Sequence, residues 1–241
     1  MFGTFRDTLL DFLFPPRCHL CRTFIPQAGP LHICPACRER MPPVCHPCCS
    51  ICGIPFHGFG DDHPCSDCLT HAPGFDAARS ALLYEGGGRE LIHAFKYHYR
   101  THLRRPLALL AVEQLSEFVA LQTPDLIVPV PLHVRRLRSR GFNQAVLLAE
   151  PLAREWGLPL KRRLMRRVRW TRPQIELDAG ERRANVRGAF AVDNPSQVTG
   201  KRILLVDDVF TTGSTVDECA RVLKKAGACH VTVITMARAV V

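Results

Sequence analysis

The stretch Ile203-Leu-Leu-Val-Asp-Asp-Val-Phe-Thr-Thr-Gly-Ser-Thr215 decides the fold. Its apolar start is typical of a buried parallel strand, which runs into two adjacent acids, Asp207 and Asp208. A short polar turn follows, and from Val216 an amphipathic pattern predicts a helix that ends at Gly227. A strand, a small-residue turn and a helix in this order predict an α/β domain that binds its ligand at the carboxyl end of the strand.

The turn has the composition of a phosphate site. Gly213 allows the backbone to approach a phosphate closely, and the helix N-terminus offers unpaired N–H groups. Four residues add hydroxyl donors, namely Thr211, Thr212, Ser214 and Thr215. Asp207 and Asp208 would repel a phosphate, so we expect them to face sugar hydroxyls or a divalent metal. The implied ligand has a phosphate, a neighbouring diol and Mg²⁺; a capped helix alone would not need these residues.

Composition narrows the class of partner and the compartment. The chain has 241 residues, 46% of them hydrophobic, and a formal charge of +10, which favours phosphorylated metabolites, nucleic acid or an acidic protein. Ten of the twelve cysteines lie between Cys18 and Cys68. The first 14 residues predict a short amphipathic helix without the features of a secretory signal, and no apolar run reaches about 18 residues. We therefore expect a cytoplasmic protein with reduced thiols, metal and no transmembrane segment.

The cysteines form Cys-x-x-Cys pairs with the spacing of short zinc ribbons. Twelve residues separate the two pairs of each set, and a closed four-thiolate site is structural. The first predicted zinc site is Cys18, Cys21, Cys34 and Cys37, and the second is Cys49, Cys52, Cys65 and Cys68. A fifth pair, Cys45 and Cys48, could replace Cys49 and Cys52, but we predict that it is spare. The histidines nearby are interpreted as solvated loop residues rather than ligands.

Two basic segments follow predicted core elements. A loop over residues 133–144 comes after a buried strand and carries four arginines, Arg135, Arg136, Arg138 and Arg140. Guanidinium groups bind pyrophosphate oxygens bidentately, although a solvated basic loop or a nucleic-acid contact is the alternative. A second basic group flanks a predicted strand, and it is interpreted as a surface for nucleic acid or an acidic partner, or equally as a solvated edge. It includes Arg162, Arg163, Arg166 and Arg167. The polar residues 171–187 predict a long mobile loop that acts as a lid.

Neither GxxxxGK[ST] nor GxGxxG occurs, so the turn is not one of these nucleotide-binding loops. Residues 203–215 instead resemble the signature of type I phosphoribosyltransferases, which bind phosphoribosyl pyrophosphate (PRPP). The chain as a whole resembles the ComF family, which is associated with DNA uptake. This resemblance rests on the Cys-x-x-Cys pairs and on Phe95-Lys96-Tyr97, Arg140-Gly-Phe-Asn-Gln144, Thr171-x-x-Gln174, Arg182-x-x-Asn185 and residues 206–215.

The resemblance implies a role for each motif. Asp207 and Asp208 would bind ribose and Mg²⁺, residues 211–215 the 5-phosphate, and the arginines around 135–140 the pyrophosphate. Gln174 and Arg182 would belong to a closing flap. The expected architecture is a zinc-ribbon module at 1–70, a linker at 71–79 and a phosphoribosyltransferase-like domain at 80–241, with a mainly parallel sheet flanked by helices.

The expected activity is transfer of a phosphoribosyl group from PRPP to an unidentified acceptor. The alternatives are a PRPP sensor without turnover, and a module that binds single-stranded DNA or DNA-uptake proteins. Pyrophosphate release separates the first reading from the second, and a salt-dependent affinity for DNA would support the third.

Overall fold

The computed structural model describes residues 15–26, 28–171 and 179–240. The helix predicted over residues 1–14 lies outside this range. Within it, no helix combines the length and the hydropathy required to cross a bilayer.

The centre of the fold is a four-stranded parallel sheet. Its strands are β1 (Ala77–Leu83), β2 (Leu126–Pro129), β5 (Arg202–Phe210) and β6 (His230–Arg238), in the spatial order β1-β6-β5-β2. Two short strands, β3 (Met165–Arg167) and β4 (Phe190–Val192), pair antiparallel in a separate ribbon. The mainly parallel α/β architecture predicted from the sequence is therefore confirmed.

Helices connect and cover these strands. Their bounds are α1 (Pro35–Glu39), α2 (Ser66–Thr70), α3 (Gly86–Tyr97), α4 (Arg104–Gln122), α5 (Val134–Arg140), α6 (Gln144–Glu155), α7 (Ala179–Val186) and α8 (Ser214–Lys225). Single 3₁₀ turns lie at Thr101–Leu103 and Pro195–Gln197. Helix α8 follows β5 as the amphipathic pattern predicts, and it buries Val216, Ala220 and Leu223.

Alternate residues of β5 point to opposite faces of the sheet, so the core has two parts. Leu204 and Val206 pack with α3, α4 and α6, and Ile203 and Leu205 pack with α8. All four side chains are fully buried. The cysteine-rich segment belongs to this core as well, because Cys49, Cys52 and Cys68 pack in the α8 part.

The cysteine-rich segment also binds the outer edge of β1 through its backbone. Three N–H groups donate across this boundary: Val44 to Ala81 O at 3.2 Å, Leu83 to Pro42 O at 2.9 Å and Ala78 to Ile51 O at 2.6 Å. The boundaries of the modules, 70 and 80, stay a prediction. However, β1 begins at Ala77, so the segment 71–79, which was predicted as a linker, contributes to the sheet.

Two predicted loops are partly helical. Residues 133–144 contain α5, which ends at Gly141 with φ +77°, and His133 accepts a hydrogen bond at its N-cap. The prediction of a loop without helix at 133–144 was wrong. The arginine-rich sequence gave no sign of the short helix, which has an ordinary N-cap and C-cap. The segment 171–187 contains α7 over its C-terminal half.

Candidate functional site

Strand β5 extends beyond its neighbour β2 and thereby opens one edge of the sheet. The last paired residue of β2 is Pro129, opposite Val206, and Val130 N donates to Val206 O at 2.9 Å. Asp207 and Asp208 therefore lie past the end of β2, at the carboxyl end of the parallel strands. A cavity of about 440 Å³ lies there, and both acids line it. This is where open parallel sheets bind their ligands.

The two acids have different environments. Asp208 is buried and its Oδ1 lies 2.8 Å from Lys96 Nζ on α3. Burial lowers the pKa of Lys96, but the attraction of Asp208 outweighs this and the pKa is raised. Burial also raises the pKa of Asp207 to about 7, and repulsion by Asp208 adds to the shift. The cavity therefore holds two carboxylates, one neutralised by a lysine and one that titrates near neutral pH.

The turn after β5 is shaped around one glycine. Gly213 is the N-cap of α8 with φ +75°, and a Cβ there would lie 2.5 Å from Cζ of Phe210. Among the predicted phosphate ligands, four line the cavity, namely Thr211, Gly213, Ser214 and Thr215. Thr212 instead shares a hydrogen bond of 2.9 Å with the Ser214 hydroxyl. The N-terminus of a 12-residue helix thus faces the cavity, with the partial positive charge that favours an anion.

Helix α5 separates the four predicted arginines into two pairs. Arg136 and Arg140 are four residues apart, so they share one helix face, and both line the cavity. Arg140 lies 5.3 Å from the Tyr97 ring centroid. Arg135 and Arg138 are exposed, and Arg135 lies 5.9 Å from the ring centroid of Trp170.

Arg167 on β3 also lines the cavity, although the sequence predicted that it belongs to an outer basic surface or a solvated edge. Its guanidinium lies 5.2 Å from the Phe190 ring, and its buried Nε has no hydrogen-bond partner among the described residues. Burial lowers the pKa of Arg167, and the charge of Arg136 adds to this effect. The assignment of Arg167 to an outer surface was therefore wrong, because β3 turns this side chain inward.

The RGFNQ segment has both a structural and a cavity-facing part. Asn143 is the N-cap of α6, where its Oδ1 accepts from Ala145 N at 3.0 Å, and its Nδ2 donates to Val130 O at 3.0 Å. Gln144 is 4% exposed and lines the cavity, and its Oε1 is buried without a partner in the described parts of the chain. An unpaired buried acceptor beside a cavity fits a ligand that donates a hydrogen bond.

The predicted flap residues lie mostly outside the described part of the chain. Gln174 falls in the gap at 172–178. Arg182 belongs to α7, but its side chain is outside the described residues.

The cysteine pairs assemble into two clusters. In each set of four, the sulfur atoms lie within 4.8 Å of one another, with Cys21 and Cys34 at 3.6 Å and Cys52 and Cys65 at 3.8 Å. A tetrahedral Zn²⁺ with Zn–S bonds of about 2.3 Å requires sulfur separations of about 3.8 Å. The clusters are the predicted ones: Cys18, Cys21, Cys34 and Cys37, then Cys49, Cys52, Cys65 and Cys68. All twelve cysteines are free thiols, so both donor sets fit structural zinc.

The fifth pair stays outside both clusters. Cys45 is exposed with its Sγ 3.7 Å from Pro43 O. Cys48 is buried, and its Sγ lies 3.4 Å from Asp62 Oδ2. Asp62 also accepts from Cys48 N at 2.8 Å and from Arg79 Nη2 at 3.2 Å. His46 Nδ1 lies 2.9 Å from Asp62 Oδ1, so the ligand-type atoms of His46, Cys48 and Asp62 lie within 4.8 Å of one another, outside both four-cysteine clusters.

Sequence reasoning missed three of the cavity residues as site residues: Lys96, Gln144 and Arg167. Lys96 and Gln144 lie in segments on which the family resemblance rests, and this could have identified them as candidate site residues. Arg167 stood in a dense basic run, where nothing in the sequence distinguishes it from Arg166.

Comparisons with known proteins agree with this architecture. Residues 9–69 match the double zinc ribbon domain, and residues 143–239 match the phosphoribosyl transferase domain. Competence protein F of Haemophilus influenzae is 34% identical over 92% of this chain and 97% of its own length. The DNA utilization protein YhgH of Escherichia coli K12 is 36% identical over 93% of this chain and 97% of its own. Competence protein ComFC of Bacillus subtilis is 28% identical, with coverages of 86% and 84%.

The similarity to the first two relatives extends over 92% and 93% of this chain. The fold is thus a phosphoribosyltransferase-like α/β sheet preceded by zinc-ribbon clusters. The chain belongs to the ComF family.

Proposed function

We propose that the cavity binds PRPP with Mg²⁺ and that the chain transfers the phosphoribosyl group to an acceptor, with release of pyrophosphate. The observation that supports this is that a helix N-terminus and two carboxylates line one cavity. A phosphate alone would explain the helix N-terminus but would be repelled by Asp207 and Asp208. A ligand with a phosphate at one end and a diol beside it satisfies both groups.

The roles of the residues follow from their chemistry. Backbone N–H and hydroxyl groups of 211–215 would bind the 5-phosphate, and Asp207 and Asp208 would accept hydrogen bonds from the ribose. Arg136, Arg140 and Arg167 would bind the pyrophosphate. Asp207 and Asp208 would also hold Mg²⁺, which would neutralise part of the pyrophosphate charge when bound. Gln174 and Arg182 are assigned to the flap that excludes water.

In the reaction, the bond between the anomeric carbon and the pyrophosphate oxygen breaks, and its electron pair leaves with pyrophosphate. A lone pair of the acceptor forms the new bond to that carbon, and an acceptor atom that carries hydrogen then loses one proton to water. The arginines stabilise charge that develops on the leaving group, and the carboxylates hold the ribose in line. Catalysis thus rests on positioning and on electrostatic stabilisation.

Calorimetry with PRPP and Mg²⁺ tests the binding step. The wild-type chain should bind, and Asp207→Asn with Asp208→Asn should abolish binding, because each substitution removes the negative charge that favours Mg²⁺ and replaces one acceptor oxygen by an NH₂ donor. Asp61→Asn is the control, since Asp61 is an exposed acid in the ribbon segment. Unchanged binding by the double variant would rule out this site.

A second candidate is an accessory protein that binds PRPP or single-stranded DNA without turnover. Relatives are named for competence and DNA utilization. A separate depression of about 520 Å³ is lined by Lys161, Arg162 and Arg163, which suits a nucleic-acid backbone. Two of the basic residues nearby already pair with acids, because Arg162 Nη2 lies 3.0 Å from Glu150 Oε1 and Arg166 pairs with Asp193. Lys161 and Arg163 are therefore better suited to contact a nucleic acid.

Pyrophosphate release discriminates between the two functions. We would measure it with PRPP and a panel of nucleobases, amines and single-stranded DNA. Release with one acceptor supports the transferase, whereas PRPP binding without release across the panel supports the accessory role. DNA affinity that falls steeply with salt and is lost in Arg162→Gln with Arg163→Gln would add a DNA contact to either function.

Structural zinc in both cysteine clusters is part of the proposal. Four thiolates per ion leave no open position, so zinc would support the fold rather than take part in the reaction. Because these thiols must stay reduced, we also propose a cytoplasmic location.

A further inference from the structure

Arg238, near the end of β6, is a buried arginine that faces a cysteine of the second cluster. It is 5% exposed. Its Nη1 donates to Cys52 O at 2.5 Å, and its Nη2 lies 3.5 Å from Cys52 Sγ. Across the described residues, no carboxylate forms an ion pair with this guanidinium, and its buried Nε has no partner.

A buried guanidinium without a counter-charge is costly. Four thiolates around one Zn²⁺ carry a net charge of about −2, which supplies the missing counter-charge. The contact between Arg238 and the Cys52 sulfur thus fits a metal-loaded cluster better than four neutral thiols.

The same guanidinium also contacts Phe210, which precedes the turn at residues 211–215. This turn, to which we assign the 5-phosphate, is called the phosphate turn. The guanidinium carbon lies 4.4 Å from the Phe210 ring centroid. The ring in turn packs directly beneath Gly213, where an added Cβ would lie 2.5 Å from its Cζ. Phe210 pairs with Arg238 in the β5–β6 register, and Ala239 N donates to Phe210 O at 2.9 Å. Cys52, Arg238, Phe210 and Gly213 therefore form one continuous packed series.

We propose that Arg238 is a positioning residue that couples the second cysteine cluster to the phosphate turn, so that zinc in that cluster raises the affinity of the cavity for PRPP. The proposal rests on the proposed function and deepens it. Loss of the metal would leave Arg238 without its counter-charge, and the ring beneath Gly213 would lose its packing partner. The turn would then spend less time in the conformation that binds a phosphate.

The first cluster provides an internal contrast. The residues next to its cysteines, Leu20 and Ile33, pack with the α3 and α4 part of the core, on the opposite face of the sheet from α8. Arg238 contacts Cys52 of the second cluster and Phe210 only on the α8 side. Coupling should therefore belong to the second cluster alone.

A matched pair of cysteine variants tests this contrast. Cys34 and Cys65 are both the N-cap of a five-residue helix and both are the third ligand of their cluster. Cys65→Ser should weaken PRPP binding about tenfold, within the range usual for coupled sites, and Cys34→Ser should change it less than about twofold. Calorimetry with PRPP and Mg²⁺ gives both values. Equal effects, or no effect of Cys65→Ser, would overturn the proposal.

Coupling is reciprocal, so PRPP should retain zinc in the second cluster. With a chromogenic zinc chelator, we expect two phases of zinc release from the wild-type chain, and PRPP should slow one of them about tenfold. Cys34→Ser, which keeps the second cluster, should retain the PRPP-sensitive phase. Loss of that phase in Cys34→Ser, or its persistence in Cys65→Ser, would contradict the assignment.

Arg238→Met tests the link itself. We expect bound zinc to remain, PRPP affinity to fall about tenfold and amide hydrogen exchange at 211–215 to accelerate. Leu152→Ala is the control for a general loss of stability, because Leu152 is fully buried in the other part of the core. If Arg238→Met does not fold, Arg238→Lys keeps the charge and loses the forked contact to Cys52, and it should show an intermediate effect.

Hydrogen exchange does not depend on PRPP. If the wild-type chain fails to bind PRPP, the proposed function fails, yet faster exchange at 211–215 in Arg238→Met or Cys65→Ser would still support the coupling. Unchanged exchange in both variants would overturn the coupling even if PRPP binds.

Discussion

Lys96 Nζ lies 2.8 Å from Asp208 Oδ1, and the two side chains are only 16% and 11% exposed. The lysine therefore places a positive charge beside the carboxylate to which we assign Mg²⁺ and ribose. It neutralises one of two adjacent acids that would otherwise repel each other. The same contact sets up a competition between the ammonium group and a divalent cation.

Lys96→Met should tighten the binding of Mg²⁺ alone by about tenfold, because an opposing positive charge is removed. Calorimetry without PRPP at pH 8, above the pKa of Asp207, measures this directly. Lys201→Met is the control, since Lys201 is exposed. An unchanged Mg²⁺ affinity would mean that Lys96 does not oppose cation binding at Asp208.

Asp207→Asn should change how stability depends on pH. The folded-state pKa of Asp207 is about 7, against an ordinary value of 3.8, so the ionised form is disfavoured in the folded chain. The wild-type chain should therefore lose stability as pH rises from about 4 to about 7, and the variant should not lose this part. At pH 8 we expect the variant to be more stable by at least about 1 kcal/mol, and at pH 5 the difference should shrink. Urea unfolding of both chains at the two pH values measures it; a variant less stable at pH 8 would contradict the shift.

Gly213→Ala should destabilise the chain and disrupt the phosphate turn. Gly200→Ala is a matched control, because Gly200 has φ +71° and nothing lies within 4 Å of its added Cβ. Both variants carry the cost of a left-handed backbone, about 1 kcal/mol, but only Gly213→Ala also meets Phe210, which should add about 1–3 kcal/mol. Urea unfolding should show this difference, and equal losses would indicate that the Phe210 ring moves aside freely.

The arginines of α5 should differ in their effect on PRPP. Arg136→Gln and Arg140→Gln should each weaken PRPP binding about tenfold, the usual value of one charge-assisted hydrogen bond. Arg135→Gln and Arg138→Gln remove equal charge from the exposed face of the same helix and should change the affinity less than about twofold. Titration calorimetry at constant ionic strength compares the four. Equal losses would indicate a general electrostatic attraction instead of specific contacts.

The number of zinc ions bound per chain should equal the number of intact four-cysteine clusters. We expect two zinc ions per chain by elemental analysis, and Cys68→Ser should leave one, because it removes a ligand of the second cluster. Cys48→Ser should keep both ions, because Cys48 contacts Asp62 and belongs to neither four-cysteine cluster. Loss of an ion in Cys48→Ser would return this cysteine to the set of ligands.

Much of this architecture was predictable because the decisive signals are local. The β5–turn–α8 unit needs only neighbouring residues, and the cysteine pairs need only fixed spacing. Both were predicted with their residues. The structure assembles the two cysteine clusters and brings the predicted turn residues except Thr212 to the cavity.

The remaining cavity residues depend on long-range packing. Whether Arg136 or Arg135 reaches the cavity depends on which face of α5 is turned toward it. This face could not be predicted from the sequence, because the segment was interpreted as a loop. Arg167 enters the cavity because β3 pairs with β4. The contact between Lys96 and Asp208 joins residues of two distant elements, and the sequence contains no local trace of it.

Strand β1 lies at the outer side of the sheet, and its free backbone groups are partly occupied by Val44, Pro42 and Ile51 of the cysteine-rich segment. An uncovered strand of this kind recruits strands from other molecules and promotes aggregation. If zinc holds that segment in place, starvation for the metal would do more than loosen two ribbons. It would expose the edge of β1, and the first sign of a metal-depleted chain in solution would be self-association.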